Sequence, residues 1–421
     1  MSLPRYTDLP VAGRVVIVRS DLNVPLRPAG QSAGNVPLRP AGPAAPANGM
    51  EVVDDARIRA SAPTLRSLSD RGAKVVILAH LGRPTAGDPS SSLAPVAIRC
   101  AQILERPVTF VPVVTGPELA AAIKELPPGG LLMCENVRFD ARETSSDPAA
   151  RAALAAEWAA LADAYVLDGF GVAHREQASV TGLPALLPHA AGECVLAEVA
   201  AFDRVLTDPQ RPYAVILGGA KVSDKLGVVG ALLATVDVVL IGGGMAFTFL
   251  AAQGHSVGAS LLEADRVPEV RTLLDEAAAR GVRVLLPADL IIATDVTATA
   301  PVQTVPADAI PDGWRGLDIG PVTREHFAAE CARAATIVWN GPLGVAEIPT
   351  FAGGTAAIAD AVAQATRRGA FTVIGGGDTA AAIHLSGHAD DEFSHVSTGG
   401  GASLELLEGL ALPGIRSLTD V

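Results

Sequence analysis

Tyr213–Lys225 reads YAVILGGAKVSDK. The first five residues are apolar throughout, the make-up of a strand buried on both faces of a parallel sheet. Gly218 and Gly219 follow directly and let backbone N–H groups come close to an anion. Lys221 and Lys225 come next, and the chain has only four lysines against 28 arginines. Arginine offers a planar fork, whereas lysine is a compact charge that fits among phosphate oxygens. A buried strand, a glycine turn and two lysines together describe an α/β sheet edge built for phosphate.

The same strand-like pattern recurs along the chain. Apolar runs lie at Arg14–Val18, Lys74–Ala79, Val108–Val111, Leu131–Cys134 and Ala164–Leu167, then at Tyr213–Leu217, Val236–Ile241, Val282–Leu286, Thr336–Trp339 and Phe371–Ile374. Helix-like stretches such as Asp147–Ala162, Glu263–Arg280 and Gly353–Arg368 fall between them. Strand alternating with helix predicts parallel sheets covered by helices on both faces. Ten strands over 421 residues predict two doubly wound domains, because single cores stop growing near about 250–300 residues. The break is expected near Pro184–Pro212, where prolines bracket the helix-like segment Gly192–Leu206. The expected division is 1–190, a linking helix over 191–208, and 209–404, with 405–421 completing the first domain.

Composition excludes several classes. A net charge of −13 argues against general nucleic-acid or anionic-membrane binding. An anionic substrate would need a local basic cluster working against that field. The four cysteines, Cys100, Cys134, Cys194 and Cys331, form no CxxC pair, which suits a reducing cytoplasm. The N-terminus shows no signal core, and no apolar run reaches the roughly 18 residues of a membrane span. Nothing points to an oligomer, so a monomer is expected. Asn23–Gly30 and Asn35–Gly42 both read NVPLRPAG, inside a Pro- and Ala-rich region. Only the first copy follows an aspartate, Asp21, so it is taken as functional and 31–48 as a flexible insertion.

Ligands of open parallel sheets bind outside the carboxyl ends of the strands. In the first half those ends carry Asp21 and Asn23, then His80 and Arg83 in HLGRP, then Glu135, Asn136 and Arg138 in ENVRF. Asp168, His174 and Arg175 follow in DGFGVAHR, and Arg57 opens a helix after the insertion. Four basic strand ends in succession suit a small phosphorylated or carboxylated anion. In the second half the ends carry glycines: Gly218–Gly219, Gly242–Gly244, Gly375–Gly377 with Asp378 and Thr379, and Gly399–Gly401 before a helix. Such runs at helix N-termini are anion sites, and Asp378 is suited to hold Mg²⁺ against phosphates. They indicate a nucleotide, although neither GxxxxGK[ST] nor a well-placed GxGxxG is present. His384 and His388 lack a third ligand and read as packing or surface residues.

In order, the runs SDLNVP, HLGRP, ENVRF, FGVAHR, LGGAKVSDK, IGGGMAFTFL, GLDIGP, IVWNGPLGV, IGGGDTA and SHVSTGGGASLELLEG resemble the phosphoglycerate kinase family from Arg19 to Gly409. The resemblance implies facing domains and reversible phosphoryl transfer from 1,3-bisphosphoglycerate to MgADP, giving 3-phosphoglycerate and ATP. It implies that Asp21, Asn23, Arg57, His80, Arg83, Arg138 and Arg175 bind the phosphoglycerate. Lys221 and Lys225 would flank the transferring phosphate. Gly218, Gly219, Gly242, Gly243, Gly316, Asn340, Pro342 and Glu347 would line the nucleotide pocket, Glu347 accepting from ribose. Gly376, Gly377, Asp378 and Thr379 would meet phosphates and Mg²⁺. Gly399 and Gly400, with Arg57 and the two lysines, would act at the phosphoryl group in flight. Departures are Ala346 and Ile348 where the family has aromatics, DGFGV for DAFGT, and Ser20 for a usual valine. In-line transfer needs reacting atoms near about 3 Å, which implies domain closure. Two other readings stay open: a non-catalytic nucleotide- or sugar-phosphate-binding protein of this fold, and a nicotinamide-dependent dehydrogenase. Loss of Lys225, Asp378 or the arginine set would favour the former, and all are present. The missing dinucleotide fingerprint counts against the latter.

Overall fold

The computed structural model describes residues 3–29, 49–85 and 87–419. The 31–48 insertion and the second NVPLRPAG copy lie outside the described residues. The chain forms two compact units, Met1–Val199 with Ala411–Val421, and Ala200–Leu410. The change of unit falls inside the helix Glu193–Thr207.

The first unit contains β1 (Val15–Arg19), β2 (Leu26–Pro28), β3 (Met50–Val52), β4 (Lys74–Leu78), β5 (Val108–Val111), β6 (Leu131–Cys134), β7 (Ala164–Leu167) and β8 (His189–Ala191). Six of them make a parallel sheet in the order β5-β6-β4-β1-β7-β8. Central β1 buries Val16 and Val18 in the core shared with Val75, Ile77 and Val166, while Ile17 is equally buried on the opposite face. Burial on both faces explains the unbroken apolar runs, each such side chain contributing about 1.5–3 kcal/mol. The helix Ala56–Asp70 packs Ile58, Ala62, Leu65 and Leu68 against this core, and Gly72 at φ 80° turns the chain out of it toward β4. β2 and β3 pair antiparallel, Leu26 opposite Val52, and Ala29 N–H donates to Gly49 O at 2.8 Å. This ribbon holds together the two chain ends between which the insertion runs.

The second unit contains β9 (Tyr213–Leu217), β10 (Val238–Ile241), β11 (Arg283–Leu285), β12 (Asp289–Ala293), β13 (Val302–Pro306), β14 (Arg315–Ile319), β15 (Thr336–Asn340), β16 (Phe371–Gly375) and β17 (His395–Val396). Its main sheet is parallel, in the order β11-β10-β9-β15-β16-β17. The chain runs outward from β9 to β11 and later returns to the other side of β9, so the β9/β15 boundary is a topological switch point.

All ten expected strands are present, and the two-sheet α/β architecture is as expected. The surplus strands have local reasons. β8 and β17 are short edge strands. β12 follows β11 after only three residues, too few for a parallel crossover, so it joins an antiparallel sheet of order β13-β12-β14. β13 is exposed along most of its length and therefore carries no apolar run.

Candidate active site

At the carboxyl edge of the first sheet the structure brings Asp21, Arg57, His80 and Arg138 into one electrostatic group. Asp21 follows β1 and is 7% exposed. Its Oδ2 accepts from Arg57 Nη1, and its Oδ1 accepts from Asn23 N–H at 3.2 Å. Burial alone would raise this carboxyl, but Arg57 and Arg19 outweigh it and hold the group below its ordinary range. Arg57 lies in the first turn of the helix Ala56–Asp70, and Asp55 just before it accepts from Arg59 Nε at 2.8 Å and Arg99 Nε at 3.0 Å. Asn23 Oδ1 accepts from Gly82 N–H at 2.9 Å, which ties the first NVPLRPAG copy to the HLGRP turn.

His80 is buried after β4, and burial together with Arg19 pushes its pKa well down, so the ring is neutral. Arg19 Nη2 lies 3.2 Å from His80 Nδ1. A guanidinium only donates, so Nδ1 is the acceptor and Nε2 carries the proton. Arg19 is fully buried, donates Nε–H to Ser179 Oγ at 2.7 Å, and Ser179 Oγ donates to Glu143 at 2.6 Å. Burial raises Glu143 despite these partners. Burial and the neighbouring Arg19 and Arg175 lower Arg138 to about 10, so it remains charged at neutral pH. Arg83, Arg138 and Arg175, with Thr144 and Gln177, line an open pocket of about 510 Å³. Arg83 and Arg175 are exposed and carry no ion pair among the described residues, which leaves their forks available to a carboxylate or phosphate.

Main chain builds the second unit's edge. The loops after β9, β10 and β15 meet so closely that a Cβ on Gly218 would lie 2.2 Å from Pro342 O, and one on Gly243 2.7 Å from Gly219 N. Gly219, Gly243 and Gly341 have φ of 92°, 63° and 96°, the left-handed region that glycine adopts freely. Lys225 is 7% exposed beneath these loops and donates to Gly218 O at 2.6 Å and Asn340 O at 2.8 Å. An ammonium has three donors, so one remains for a ligand. Burial lowers its pKa to about 8, against the opposing pull of Asp378 and Asp224. Asp378 stands exposed in the first turn of the helix Gly377–Leu385 and takes no hydrogen bond among the described residues, leaving both oxygens to a hard cation.

A cavity of about 380 Å³ includes Gly219, Gly243, Gly316, Pro342, Glu347 and Asp378 among its walls. Other expected residues stand behind that wall. Thr379 is fully buried, donates to Gly375 O at 2.7 Å and accepts from Gly341 N–H at 2.6 Å. Asn340 is buried, with a side-chain Nδ2 that has no partner among the described residues. Gly242 packs on Leu343, Gly376 at φ 89° caps the Gly377–Leu385 helix, and Lys221 is exposed in the loop before Lys225. Gly399 N–H donates to Ser397 Oγ at 3.1 Å, and Gly400, φ 54°, precedes the helix Gly401–Leu407.

Some strand-end polar residues turn out to be structural. Glu135 accepts from Ser92 Oγ at 2.7 Å and Leu93 N–H at 2.8 Å, while Asn136 donates to Leu81 O and Ser91 O. Asp168 accepts from Thr64 Oγ1 at 2.7 Å and from Cys194 N–H at 3.1 Å at the start of the Glu193–Thr207 helix. His384 pairs with Asp390 and His388 with Asp360 and Glu392, in agreement with a packing role. Two residues escape the sequence reading. Arg19 closes β1, directly after the apolar run Arg14–Val18. Asp318, in GLDIGP, accepts from Arg324 and Gly354 N–H under the cavity, with burial pushing it up to about 7. Its signal is an acid between Leu317 and Ile319 in the buried part of β14.

Known proteins fit this arrangement. A family model described as phosphoglycerate kinase matches residues 42–410. The phosphoglycerate kinase of Frankia casuarinae is 51% identical over 416 residues, covering 98% of this chain and 98% of its own. That of Mycobacterium avium is 52% identical, covering 97% of this chain and 94% of its own. The solved phosphoglycerate kinase from Coxiella burnetii is similar with a TM-score of 0.82 at 37% identity, covering 99% of both chains. The enzyme from Pyrococcus horikoshii gives 0.81 at 29% identity, covering 99% of this chain and 98% of its own.

Proposed function

The chain belongs to the phosphoglycerate kinase family, and on that premise we propose how its residues divide the reaction between two sets. The reaction is reversible phosphoryl transfer between 1,3-bisphosphoglycerate and ADP, giving 3-phosphoglycerate and ATP. An ADP β-phosphate oxygen attacks the acyl phosphate, and the phosphoglycerate carboxylate leaves. No side-chain nucleophile is needed, since such transfer rests on positioning and charge stabilisation.

Asp21, Asn23, Arg57, His80, Arg83, Arg138 and Arg175 bind the phosphoglycerate. The guanidiniums take its phosphate and carboxylate, and neutral His80 offers Nε2–H. The glycine loops with Pro342 and Glu347 hold ADP, and Lys225, with Lys221 and the helix N-terminus that Gly399 and Gly400 lead into, stabilises the moving phosphoryl group. Asp378 would hold Mg²⁺, whose charge when bound neutralises nucleotide phosphates. The observation that carries the assignment is Lys225, whose ammonium is fixed by two carbonyls with one N–H left over.

The proposal includes closure by hinge motion near Pro184–Pro212 or Ser397–Gly401, because bound substrates must approach to about 3 Å. It also takes the enzyme as a cytoplasmic monomer; burial pushes the Cys100, Cys134 and Cys331 thiols up to about 12, keeping them inert. A coupled assay for ATP from ADP and 1,3-bisphosphoglycerate tests the activity. Nucleotide binding without ATP formation would favour the non-catalytic reading.

A further inference from the structure

Arg315 starts β14 and lines the 380 Å³ cavity. Its Nε is buried without a partner, and among the described residues its side chain makes no hydrogen bond or ion pair. Most arginines that face a protein interior here are paired, as Arg99 is with Asp55 and Arg324 with Asp318. A donor-only fork left open in a pocket wall implies a ligand acceptor.

Its place identifies the part of the ligand. Phosphate-directed groups, Lys225 and Asp378, belong to the turns after β9 and β16. Arg315 belongs to the antiparallel sheet instead. Leu317, two residues on in β14, lines the cavity with Val296 and Val345, and belongs to a small apolar cluster that Val345 packs against. An apolar slot suits a base, not a polyphosphate. The major-groove edge of guanine or hypoxanthine presents two acceptors, O6 and N7, which match a guanidinium fork. Adenine presents N7 beside an N6 amino donor, which opposes it.

Building on the nucleotide reading of this cavity, we infer that Arg315 is a base-specificity residue that favours 6-oxopurine nucleotides, GDP and IDP, over what the apolar slot alone would accept. Calorimetry with ADP, GDP, IDP and CDP on the full chain tests it. In Arg315→Met and Arg315→Lys the ratio of GDP to ADP affinity should fall about tenfold, and IDP should follow GDP because it shares O6 and N7. Lysine should fail like methionine, since a point charge cannot span both acceptors. A GDP to ADP ratio unchanged within about twofold in both variants would overturn the inference. So would an equal loss for all four nucleotides, which would make Arg315 a phosphate contact. The kinase reading is judged separately, by whether the unmodified chain forms ATP. Failure there with the base ratio still shifting would sink only that reading.

Discussion

The first sheet's edge is built of long side chains: Arg83, Arg138 and Arg175 follow separate strands, and Arg57 lies in the first turn of the helix Ala56–Asp70. The second sheet's edge is built of main chain. Gly218, Gly219, Gly243 and Gly341 bring three loops into backbone contact over one buried lysine. The difference fits the two ligands proposed above. A small anion with a phosphate at one end and a carboxyl at the other needs charge delivered at separate points, which arginine forks provide. A polyphosphate chain needs several N–H donors in a row, which only closely packed glycine turns expose. Both edges use the same topological position, and the residue types in the turn after each strand set their chemistry.

The sharpest way to break this comparison is to remove the buried lysine of the main-chain edge. Lys225→Met should lower kcat by about 10²–10³-fold, the cost of one preorganised donor. Circular dichroism should show the fold retained. Near-normal turnover would undo the assignment. The same lysine should register in proton linkage. With its pKa lowered to about 8, it is mostly neutral above that pH, and a bound polyphosphate favours the ammonium. ADP binding at pH 9 should therefore take up protons. Calorimetry in buffers of different ionisation enthalpy reads this, and the uptake should vanish in Lys225→Met.

On the side-chain edge, Arg138→Ala should raise the phosphoglycerate KM about 10–100-fold and leave ADP affinity almost unchanged, as for the loss of a charged hydrogen bond. Arg57→Ala should do the same, with an added stability loss because buried Asp21 loses its paired guanidinium. An effect mainly on ADP would erase the division between the two edges.

Buried charge is the side-chain edge's cost, and Asp168 exposes it. Burial raises its carboxyl to about 7, so between about pH 4 and 7 the folded state binds more protons than the unfolded state. Stability from this group thus declines as pH rises through that window. Asp168→Asn keeps an Oδ1 for Thr64 and Cys194 and removes the charge. Its stability relative to the unmodified protein, read by denaturant unfolding, should climb from pH 5 to 8, reaching a gain of about 1–3 kcal/mol. A pH-independent difference would count against the shift.

The smallest effect is expected from deleting 31–42. β2 and β3 already bring the flanking chain together, and loop-closure entropy changes slowly with length. Stability should move by less than about 1 kcal/mol, with kinase activity kept. A large loss of phosphoglycerate affinity would mean that the segment covers the substrate site.

The sequence by itself determined the ten main strands, because residues buried on both faces must be apolar without interruption. It also determined the segregation of arginines and glycines, because residue type after a strand is a local property. His384 and His388 were legible for the same reason, lacking a third ligand at any useful spacing. Only the tertiary structure decided which polar residues serve the site and which serve the scaffold. Arg19 meets Ser179 from 160 positions away, and Lys225 meets Asn340 from 115. Asp168 looked like a ligand at a strand end until Thr64 and the Glu193–Thr207 helix claimed it. The antiparallel sheet that presents Arg315 was equally hidden. Such partners are chosen by the packing of segments distant in sequence, and local pattern carries no information about that choice.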